Sequence, residues 1–358
     1  MDFALAFDSV PHDRLMVKVR AHGIRQKVIN WIEDFLKHRK QRVSVNSAQS
    51  SWKEVLSGIP QGSVLGPILF ILYINDLPNQ LKNRALMYAD DTKIYAKVNT
   101  RNDRDMMQQD LMTALEWAET WQLRFNQEKC KVLHYGRNNQ LYDYYMSNNI
   151  KMQVTKEEKD LGVIFTGDLK FTEQVAKTVK KGNQMVGIVK RAFKHMDKEM
   201  FMNIYKALIR SHLETGNKIW HPIRKTDSDH LENVQRRATK LVPELRSLPY
   251  GERLRSLKLH SLVYRRRRGD MIQMYKFTHD QEDIGTNKLY QYAEGITRGH
   301  PLKVAKPRWN TKLRQNSFRN RVVNDWNNLP NEVVCAPSLN SFKSRLDTHW
   351  SHLHYKFE

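Results

Sequence analysis

Two adjacent carboxylates, Asp90 and Asp91, carry the strongest chemical signal in this sequence. They lie between two runs rich in β-forming residues, 84–89 and 92–98, so the pattern predicts a tight hairpin with the pair at its turn. Neighbouring carboxylates repel each other, and a divalent cation such as Mg²⁺, which prefers oxygen ligands, relieves that repulsion. A solvated acidic turn without a ligand is the alternative interpretation of the same two residues.

The surrounding residues make this pair part of a larger pattern. Tyr88-Ala89-Asp90-Asp91 resembles the catalytic hairpin of reverse transcriptases. The segment from Asp2 to His12 resembles the first catalytic motif of the polymerases of non-LTR (LINE-type) retrotransposons. The segment from Ser57 to Pro67 resembles their second motif, the nucleotide-pocket loop. Three motifs in the order and spacing of the family argue against coincidence.

Weaker similarities extend the resemblance over nearly the whole chain. They match the family's fourth motif, its primer-grip hairpin and its C-terminal region, at Phe125–Cys130, Asp160–Val163 and Trp326–Pro330. The resemblance implies a fragment of an RNA-directed DNA polymerase. Its partners would be an RNA template, a DNA primer and deoxynucleoside triphosphates, and no protein partner follows from it.

The resemblance also assigns the catalytic groups. Asp2 and Asp90 match the carboxylates that bridge two metal ions, with Asp91 close by, so these three are the implied ligands of two Mg²⁺ ions, with Mn²⁺ as the alternative. Such ions lower the pKa of the attacking 3′-hydroxyl and stabilise the leaving pyrophosphate. Lys129 is the candidate that protonates the pyrophosphate, and Lys131 is almost as good a candidate. A solvated surface role is the alternative for either lysine.

Three residues match the nucleotide pocket of the family, namely Phe7, Gln61 and Gly62. A ring at Phe7 would lie under the sugar and exclude a 2′-hydroxyl, and an ordinary core phenylalanine is the alternative. Gln61 and Gly62 lie in a loop whose glycines allow close approach to a nucleotide, although a turn role would also explain a lone glutamine. Asp8 falls outside the ligand position of the family, so we expect it to cap the following helix.

The fold expected from these motifs is α+β. It is a right-hand polymerase palm with an antiparallel sheet and helices, followed by a mainly helical thumb and a C-terminal region. We divide the chain into a palm over 1–170, a thumb-like region over 171–245 and a basic C-terminal region over 246–358. Near 170 the strand patterns give way to helical ones and the charge balance changes.

Hydrophobic periodicity predicts the individual elements. Helices are expected at 13–22, 26–37, 65–77 and 104–122, with a mostly helical pattern from Thr172 onward. Strands are expected at 2–7, 41–45, 52–56, 84–89, 92–98, 129–135 and 160–166. Trp117 and Trp121 are four residues apart on a predicted helix, and they fit a core stripe better than a surface for base stacking.

Charge is distributed unevenly along the 358 residues, whose formal net charge is +22. Residues 1–170 contain 24 basic and 20 acidic side chains, whereas 171–358 contain 36 and 18. The cationic half is expected to bind the backbone of a template–primer duplex without sequence specificity. The expected phosphate contacts are Lys180, Lys181, Lys190, Arg191 and Lys194, with the run Arg265, Arg266, Arg267 and Arg268. That run also fits a solvated helix face or a nuclear localisation signal.

Several classes of protein are excluded by what the sequence lacks. It contains no CxxC pair, no HExxH motif, no apolar stretch of roughly 20 residues and no signal peptide. We therefore expect an intracellular protein that is not secreted and does not contact membranes. The nucleus or a cytoplasmic ribonucleoprotein is the expected location.

The chain departs from the family in two respects. It begins at the first catalytic strand, which the fingers and the endonuclease precede in the family, and Leu5 stands where the family usually has a polar residue. The second hypothesis is therefore a catalytically inactive remnant that binds RNA or an RNA–DNA duplex non-specifically. We expect the chain alone to extend a primer poorly and a preceding segment to restore extension, because positioning supplies much of the rate.

Overall fold

A computed structural model describes residues 1–136, 138–146, 149–282, 290–293 and 299–356 of the chain. It combines helices with short strands, which confirms a mixed helix-and-sheet fold. The chain separates into two compact units, 1–156 and 157–358. The division at 170 and 245 and the right-hand arrangement of a palm and a thumb stay predictions.

The first unit alternates helices with short strands. Its helices are α1 (His12–Ala21), α2 (Gln26–Leu36), α3 (Leu65–Ile74) and α4 (Arg101–Thr120), with a 3₁₀ turn at Leu77–Gln80. Its strands are β1 (Lys40–Gln41), β2 (Ser44–Val45), β3 (Ala48–Gln49), β4 (Lys53–Glu54), β5 (Arg84–Tyr88), β6 (Asp91–Tyr95), β7 (Lys131–Leu133), β8 (Tyr145–Met146), β9 (Ile150–Lys151) and β10 (Gln153–Thr155). β7 and β10 pair in parallel, whereas β1–β4, β2–β3, β5–β6 and β8–β9 pair antiparallel.

A buried lysine joins three segments of the core of the first unit. Lys18 in α1 is 5% exposed, and its ammonium pairs with the carboxylate of Asp76. The same ammonium lies 3.7 Å from the centre of the Trp121 ring, and the indole N–H of Trp117 donates to the Asp76 carboxylate at 3.2 Å. Burial lowers the pKa of Lys18, and the ion pair with Asp76 opposes that change. Both tryptophans therefore contribute to the core, as the sequence predicts, and they enclose a cation.

The second unit begins with a hairpin and continues as helices. The hairpin strands are β11 (Glu157–Asp160) and β12 (Val163–Thr166). The helices are α5 (Thr172–Ala192), α6 (Lys198–Ile204), α7 (Ser211–Glu214), α8 (Lys225–Ala238), α9 (Tyr250–Ser256), α10 (Leu262–Thr278), α11 (Lys312–Gln315), α12 (Phe318–Asn327), α13 (Asn331–Val334) and α14 (Leu339–His349). A π-helical segment, Tyr205–Arg210, joins α6 to α7, and 3₁₀ turns lie at Thr239–Leu241, Pro243–Leu245 and Ser351–Leu353.

Most of the expected helices are confirmed, with small differences at their ends. α1, α2 and α4 match the predicted segments closely, and the residues after Thr172 are mainly helical. The helix predicted over 65–77 ends earlier, at Ile74, because Pro78 cannot continue it and lies instead at the start of the 3₁₀ turn, just after Leu77.

The strands are shorter than expected, and one of them is wrong in kind. The run 41–45 is split between β1 and β2, and 129–135 narrows to β7. The single strand predicted over 160–166 is instead a hairpin, because Leu161 and Gly162 form a turn with φ of 44° and 88°. That hairpin agrees with the resemblance of the same residues to a primer-grip hairpin.

Two remaining features concern the thiols and the membrane. Cys130 is buried, Cys335 is exposed, and both are free. Within the described part of the chain, no helix has both the length and the apolar character that crossing a bilayer requires.

Helix α5 packs closely against its neighbours at Gly182. A Cβ atom added there would lie 3.0 Å from side-chain atoms of both Leu213 and Val234. At Gly187, further along the same helix, the nearest atom to an added Cβ is Nη1 of Arg191, at 3.8 Å. The two glycines therefore have the same backbone conformation but very different surroundings.

We predict that Gly182→Val lowers the free energy of unfolding by about 1–3 kcal/mol, because the added methyl groups overpack the contact with α7 and α8. The matched variant Gly187→Val should stay within about 0.5 kcal/mol of the original protein. Urea unfolding of the full chain, followed by circular dichroism, measures both. An equal loss of stability for the two variants would contradict the packing described for Gly182.

Candidate functional site

The N-terminal residues of the first unit pair with the acidic hairpin. Met1 and Thr92 exchange backbone hydrogen bonds in both directions, at 2.6 and 3.0 Å. Such a reciprocal pair places the two residues directly opposite each other, and the antiparallel register then sets Asp2 beside Asp91. Thr92 is 1% exposed and Met1 packs against the core, so Asp2 and Asp91 lie on the other face.

On its other side, the same segment pairs with residues that follow α4. The N–H of Asn126 donates to the carbonyl of Asp2 at 2.8 Å, and Phe3 forms an antiparallel bridge with Phe125. The two rings stack with their centres 4.4 Å apart. The backbone around Asp2 is therefore held from both sides.

The strand predicted over 2–7 is wrong beyond its first residues. Leu5 adopts a φ of 50°, and its carbonyl accepts backbone hydrogen bonds from Asp8 and Ser9, each at 2.9 Å. The hydroxyl of Ser9 donates to the same carbonyl at 2.9 Å. The chain turns at this point because local bonds replace the ladder that a longer strand would need.

The acidic hairpin itself is confirmed, with its strands shifted by one residue. Tyr88 pairs with Asp91, so Asp91 is the first residue of β6, and the turn consists of Ala89 and Asp90. Ala89 has a φ of 51°, the left-handed conformation that closes this short connection. Asp90 is half-buried and Asp91 is exposed.

Lys129 is the basic residue that the structure places against the carboxylates. Its Nζ lies 3.1 Å from Oδ2 of Asp2, and 64% of its side chain is exposed. Lys131 lies in β7, two residues further on. Among the described residues, no three acidic, histidine or cysteine side chains are grouped closely enough to hold a metal ion. The structure thus makes the backbones of Asp2 and Asp91 neighbours but does not gather the side chains of the predicted ligands around one point.

The loop at 57–62 is held by main-chain hydrogen bonds, several of them at Gly58. The carbonyl of Gly58 faces Nε2 of buried His12 at 2.9 Å, and it accepts a hydrogen bond from the Arg39 guanidinium at 2.8 Å. Gly58 has a φ of 91°, and a Cβ atom added there would lie 2.7 Å from the carbonyl oxygen of Asp8. Only glycine fits this approach of the loop to the segment that follows Asp2.

The predicted nucleotide-pocket residues lie around this loop. Phe7 is half-buried and stacks on Phe70, with ring centres 4.6 Å apart. The amide of Gln61 donates to the carboxylate of Asp8 at 3.1 Å. This contact replaces the helix-capping role expected for Asp8, since no side chain caps α1. Gly62 has a φ of 82° and open space around its Cα.

The basic residues expected to contact phosphates fall into two groups. The first group is exposed, and the ion pairs described for the second unit involve none of its members. It consists of Lys180, Lys181, Lys190 and Arg191 on α5, with Lys194 just beyond the end of that helix. This surface is called the α5 face below.

The second group, the arginine run of α10, is occupied by contacts within the chain. Arg265 pairs with Glu214, Arg267 with Asp325 at 2.8 Å and Arg268 with Asp347 at 2.5 Å. The remaining member, Arg266, is 5% exposed and donates to the Ser228 hydroxyl at 2.7 Å. The run is therefore neither a solvated helix face nor a free phosphate surface. We withdraw the run from the expected duplex interface, because it ties α10 to α7, α8, α12 and α14. Arg265, although paired, also lines a basic cleft of the second unit.

Sequence reasoning missed the residues that shape the site rather than act in it. His12 and Arg39 hold the loop through Gly58, although neither was singled out. The visible signal was Gly58 itself, whose place in a Ser-Gly-Ile-Pro run indicates a turn. Which side chains face its carbonyl depends on contacts distant in sequence, and no local pattern encodes them.

We predict that Gly62→Ala costs about 1–2 kcal/mol of stability, the ordinary strain of a left-handed alanine. Gly58→Ala should cost more, because its Cβ also meets backbone atoms of Asp8 that cannot move aside. Urea unfolding and limited proteolysis of the loop measure the difference. Equal losses would show that the close approach at Gly58 is unimportant.

Comparison with known proteins supports the resemblance of this chain to reverse transcriptases. Residues 1–171 match the family model described as "Reverse transcriptase (RNA-dependent DNA polymerase)". The chain is 26% identical over 306 residues to the RNA-directed DNA polymerase from mobile element jockey of Drosophila funebris. These residues make up 81% of this chain and 32% of that protein.

Two relatives from Drosophila melanogaster agree with this result. The probable RNA-directed DNA polymerase from transposon X-element is 24% identical over 251 residues, 68% of this chain and 28% of its own length. The corresponding protein from transposon BS is 31% identical over 144 residues, 36% of this chain and 15% of its own length. The chain spans about a third or less of the curated relatives it matches. Residues 1–171 are thus similar to the reverse transcriptase family, and the chain is similar to RNA-directed DNA polymerases of non-LTR mobile elements.

Proposed function

We propose that the first unit carries the nucleotidyl-transfer centre of an RNA-directed DNA polymerase that copies an RNA template from a DNA primer. The observation that carries this proposal is the backbone pairing that sets Asp2 beside the hairpin of Asp90 and Asp91. Three carboxylates on adjacent segments have no role in a core, and phosphoryl transfer with metal ions needs this type of group.

The carboxylates of Asp2, Asp90 and Asp91 are groups of the type that binds a divalent cation. Reverse transcriptases generally use divalent metal ions, and carboxylate oxygens are the ligands that Mg²⁺ prefers. Asp2 is already neutralised by the ammonium of Lys129, so this place in the fold accommodates a positive charge. Asp2, Asp90 and Asp91 would hold the ions, two Mg²⁺ in our proposal. Bound there, they would activate the 3′-hydroxyl and stabilise the leaving pyrophosphate.

The remaining residues of the first unit have positioning roles in this proposal. Stacking on Phe70 fixes the ring of Phe7, and its half-exposed side leaves it able to border a deoxyribose. Gln61, held against Asp8, would contact the incoming nucleotide at the exposed edge of the loop, beside Gly62. Lys129 would give a proton to the departing pyrophosphate, since its exposed ammonium lies next to Asp2.

The second unit would bind the template–primer duplex through the α5 face. Exposed lysine and arginine side chains on one helix contact phosphates without reading bases. The opposite side of α5 packs against α7 and α8, so a fixed core supports the cationic side.

An inactive nucleic-acid-binding remnant is the less favoured function. The feature of the described chain that supports it is the net charge of residues 171–358. That charge does not explain why a register-matched carboxylate, an acidic hairpin and a glycine-fixed loop occur together in the first unit. These three features belong to the transfer reaction rather than to duplex binding.

We predict that Mg²⁺ or Mn²⁺ stabilises the full chain by about 2.7 kcal/mol at a metal concentration one hundred times its Kd, because the ion binds the folded state only. Asp90→Asn should remove this stabilisation. The matched variant Asp105→Asn, which changes an exposed carboxylate of α4, should retain it. Thermal unfolding at several metal concentrations measures the effect without requiring activity.

The same variants test the reaction in a primer-extension assay with an RNA template, Mg²⁺ and deoxynucleotides. Any extension by the protein should disappear in Asp90→Asn and persist in Asp105→Asn. Metal stabilisation that is equal in both variants would contradict the assigned ligands. Extension that survives Asp90→Asn would contradict the assigned centre.

We predict that binding of RNA–DNA duplexes weakens steeply with salt and that the α5 face contributes to the dependence. Lys181→Gln with Arg191→Gln should reduce the slope of log K against log salt by about 1.8, since each phosphate contact contributes about 0.9. The matched pair Lys240→Gln with Lys312→Gln changes exposed lysines elsewhere and should leave the slope unchanged. A wild-type slope near zero on duplexes of unrelated sequence would refute the proposed interface.

A further inference from the structure

The second unit contains a basic cleft that none of the roles above explains. It has a volume of about 640 Å³ and lies between α6 with the π-helical segment on one side and the turn at 256–260 on the other. Its charged lining residues are Lys198, Lys206, Arg210, Lys258 and Arg265, against one carboxylate, Glu199.

The inner part of this cleft carries an unbalanced positive charge. Arg210 and Arg265 share a single carboxylate, that of Glu214, at 3.6 and 2.9 Å. Two guanidinium groups and one carboxylate leave one net positive charge in a half-buried place. Burial, together with the neighbouring Arg265, lowers the pKa of Arg210, as expected for a cation that lacks a full counter-charge.

The rim of the cleft carries further lysines that have no close carboxylate partner among the described ion pairs. Lys206 and Lys258 are exposed, and the ion pairs between described residues include neither of them. Lys198 has only a distant contact with Glu244, at 3.8 Å. Burial and the neighbouring His354 lower the pKa of His260 to about 4, so this lining residue is neutral at pH 7.

The backbone of the cleft is unusual on both sides. The π-helical segment contributes Lys206 and Arg210, and π-helical turns are rare and frequently occur at functional sites. On the opposite side, Lys258 adopts a φ of 49°, a conformation that lysine seldom takes. Two costly backbone features thus present cations to the same space.

We propose that this cleft binds the phosphate groups of a single nucleic-acid strand, independently of its base sequence. The cleft is larger than one phosphate group, and its cations are spread along it. Such an arrangement fits the successive phosphates of a nucleic-acid strand. The lining contains no phenylalanine, tyrosine or tryptophan on which a base could stack, so contact with the backbone dominates. The inference extends the nucleic-acid binding proposed for the α5 face to a second surface, and it does not depend on transfer at Asp2.

The test is binding of short labelled single-stranded oligonucleotides of two unrelated sequences to the full chain in EDTA. Lys206→Gln with Lys258→Gln should weaken binding about tenfold near physiological salt and reduce the salt slope by about 1.4, from about 0.7 for each contact. The matched pair Lys225→Gln with Lys312→Gln changes exposed lysines outside the cleft lining and should leave the slope unchanged. Because no metal is present, failure of the catalytic proposal cannot alter this result.

A gain of binding separates the proposal from a folding defect. Glu199→Gln removes the carboxylate that lines the cleft and should tighten binding of both oligonucleotides. An unchanged slope in the lysine variant, or no tightening with Glu199→Gln, would overturn the assignment. Inorganic pyrophosphate at matched ionic strength provides the final comparison. If it binds more tightly than the oligonucleotides, the cleft is a small-anion site and not a strand site.

Discussion

The position of Asp2 depends on one constraint, the antiparallel pairing of the first residues with β6 and with the segment after α4. This short ladder fixes the register, and the register decides which face each side chain occupies. A shift by one residue would turn Asp2 toward the core and expose Phe3, which stacks on Phe125. Burial of Phe3 and the placement of Asp2 on the opposite face are therefore two results of the same backbone bonds.

The second unit uses its cations in two ways, and sequence alone does not separate them. The arginine run of α10 holds helices together through carboxylates that lie far away in the sequence, such as Asp325 and Asp347. The α5 face keeps its lysines exposed. Net charge counts both groups equally, so it overstates the positive surface offered to a polyanion. The partners of each guanidinium decide its role, and only the fold supplies them.

Much of the fold was predictable because its signals are local. The acidic hairpin and the helices α1, α2 and α4 follow from periodicity, and the loop at 57–62 follows from its glycines and proline. The strand at 2–7 and the single strand at 160–166 were wrong, because left-handed residues such as Leu5 and Leu161 interrupt patterns that look continuous. The placement of His12 and Arg39 around Gly58 depends on tertiary contacts. Those contacts leave no trace in local sequence.

The way in which the loop at 57–62 is held has a consequence for how such a pocket can diversify. His12 and Arg39 fix the loop through the carbonyl of Gly58, a main-chain atom that every residue possesses. The side chains that follow, including Gln61, contribute nothing to that anchor. Divergent copies can therefore exchange an exposed side chain such as Gln61, losing its contact with Asp8 while the main-chain anchor is kept. Preference for a substrate can then drift on a constant scaffold.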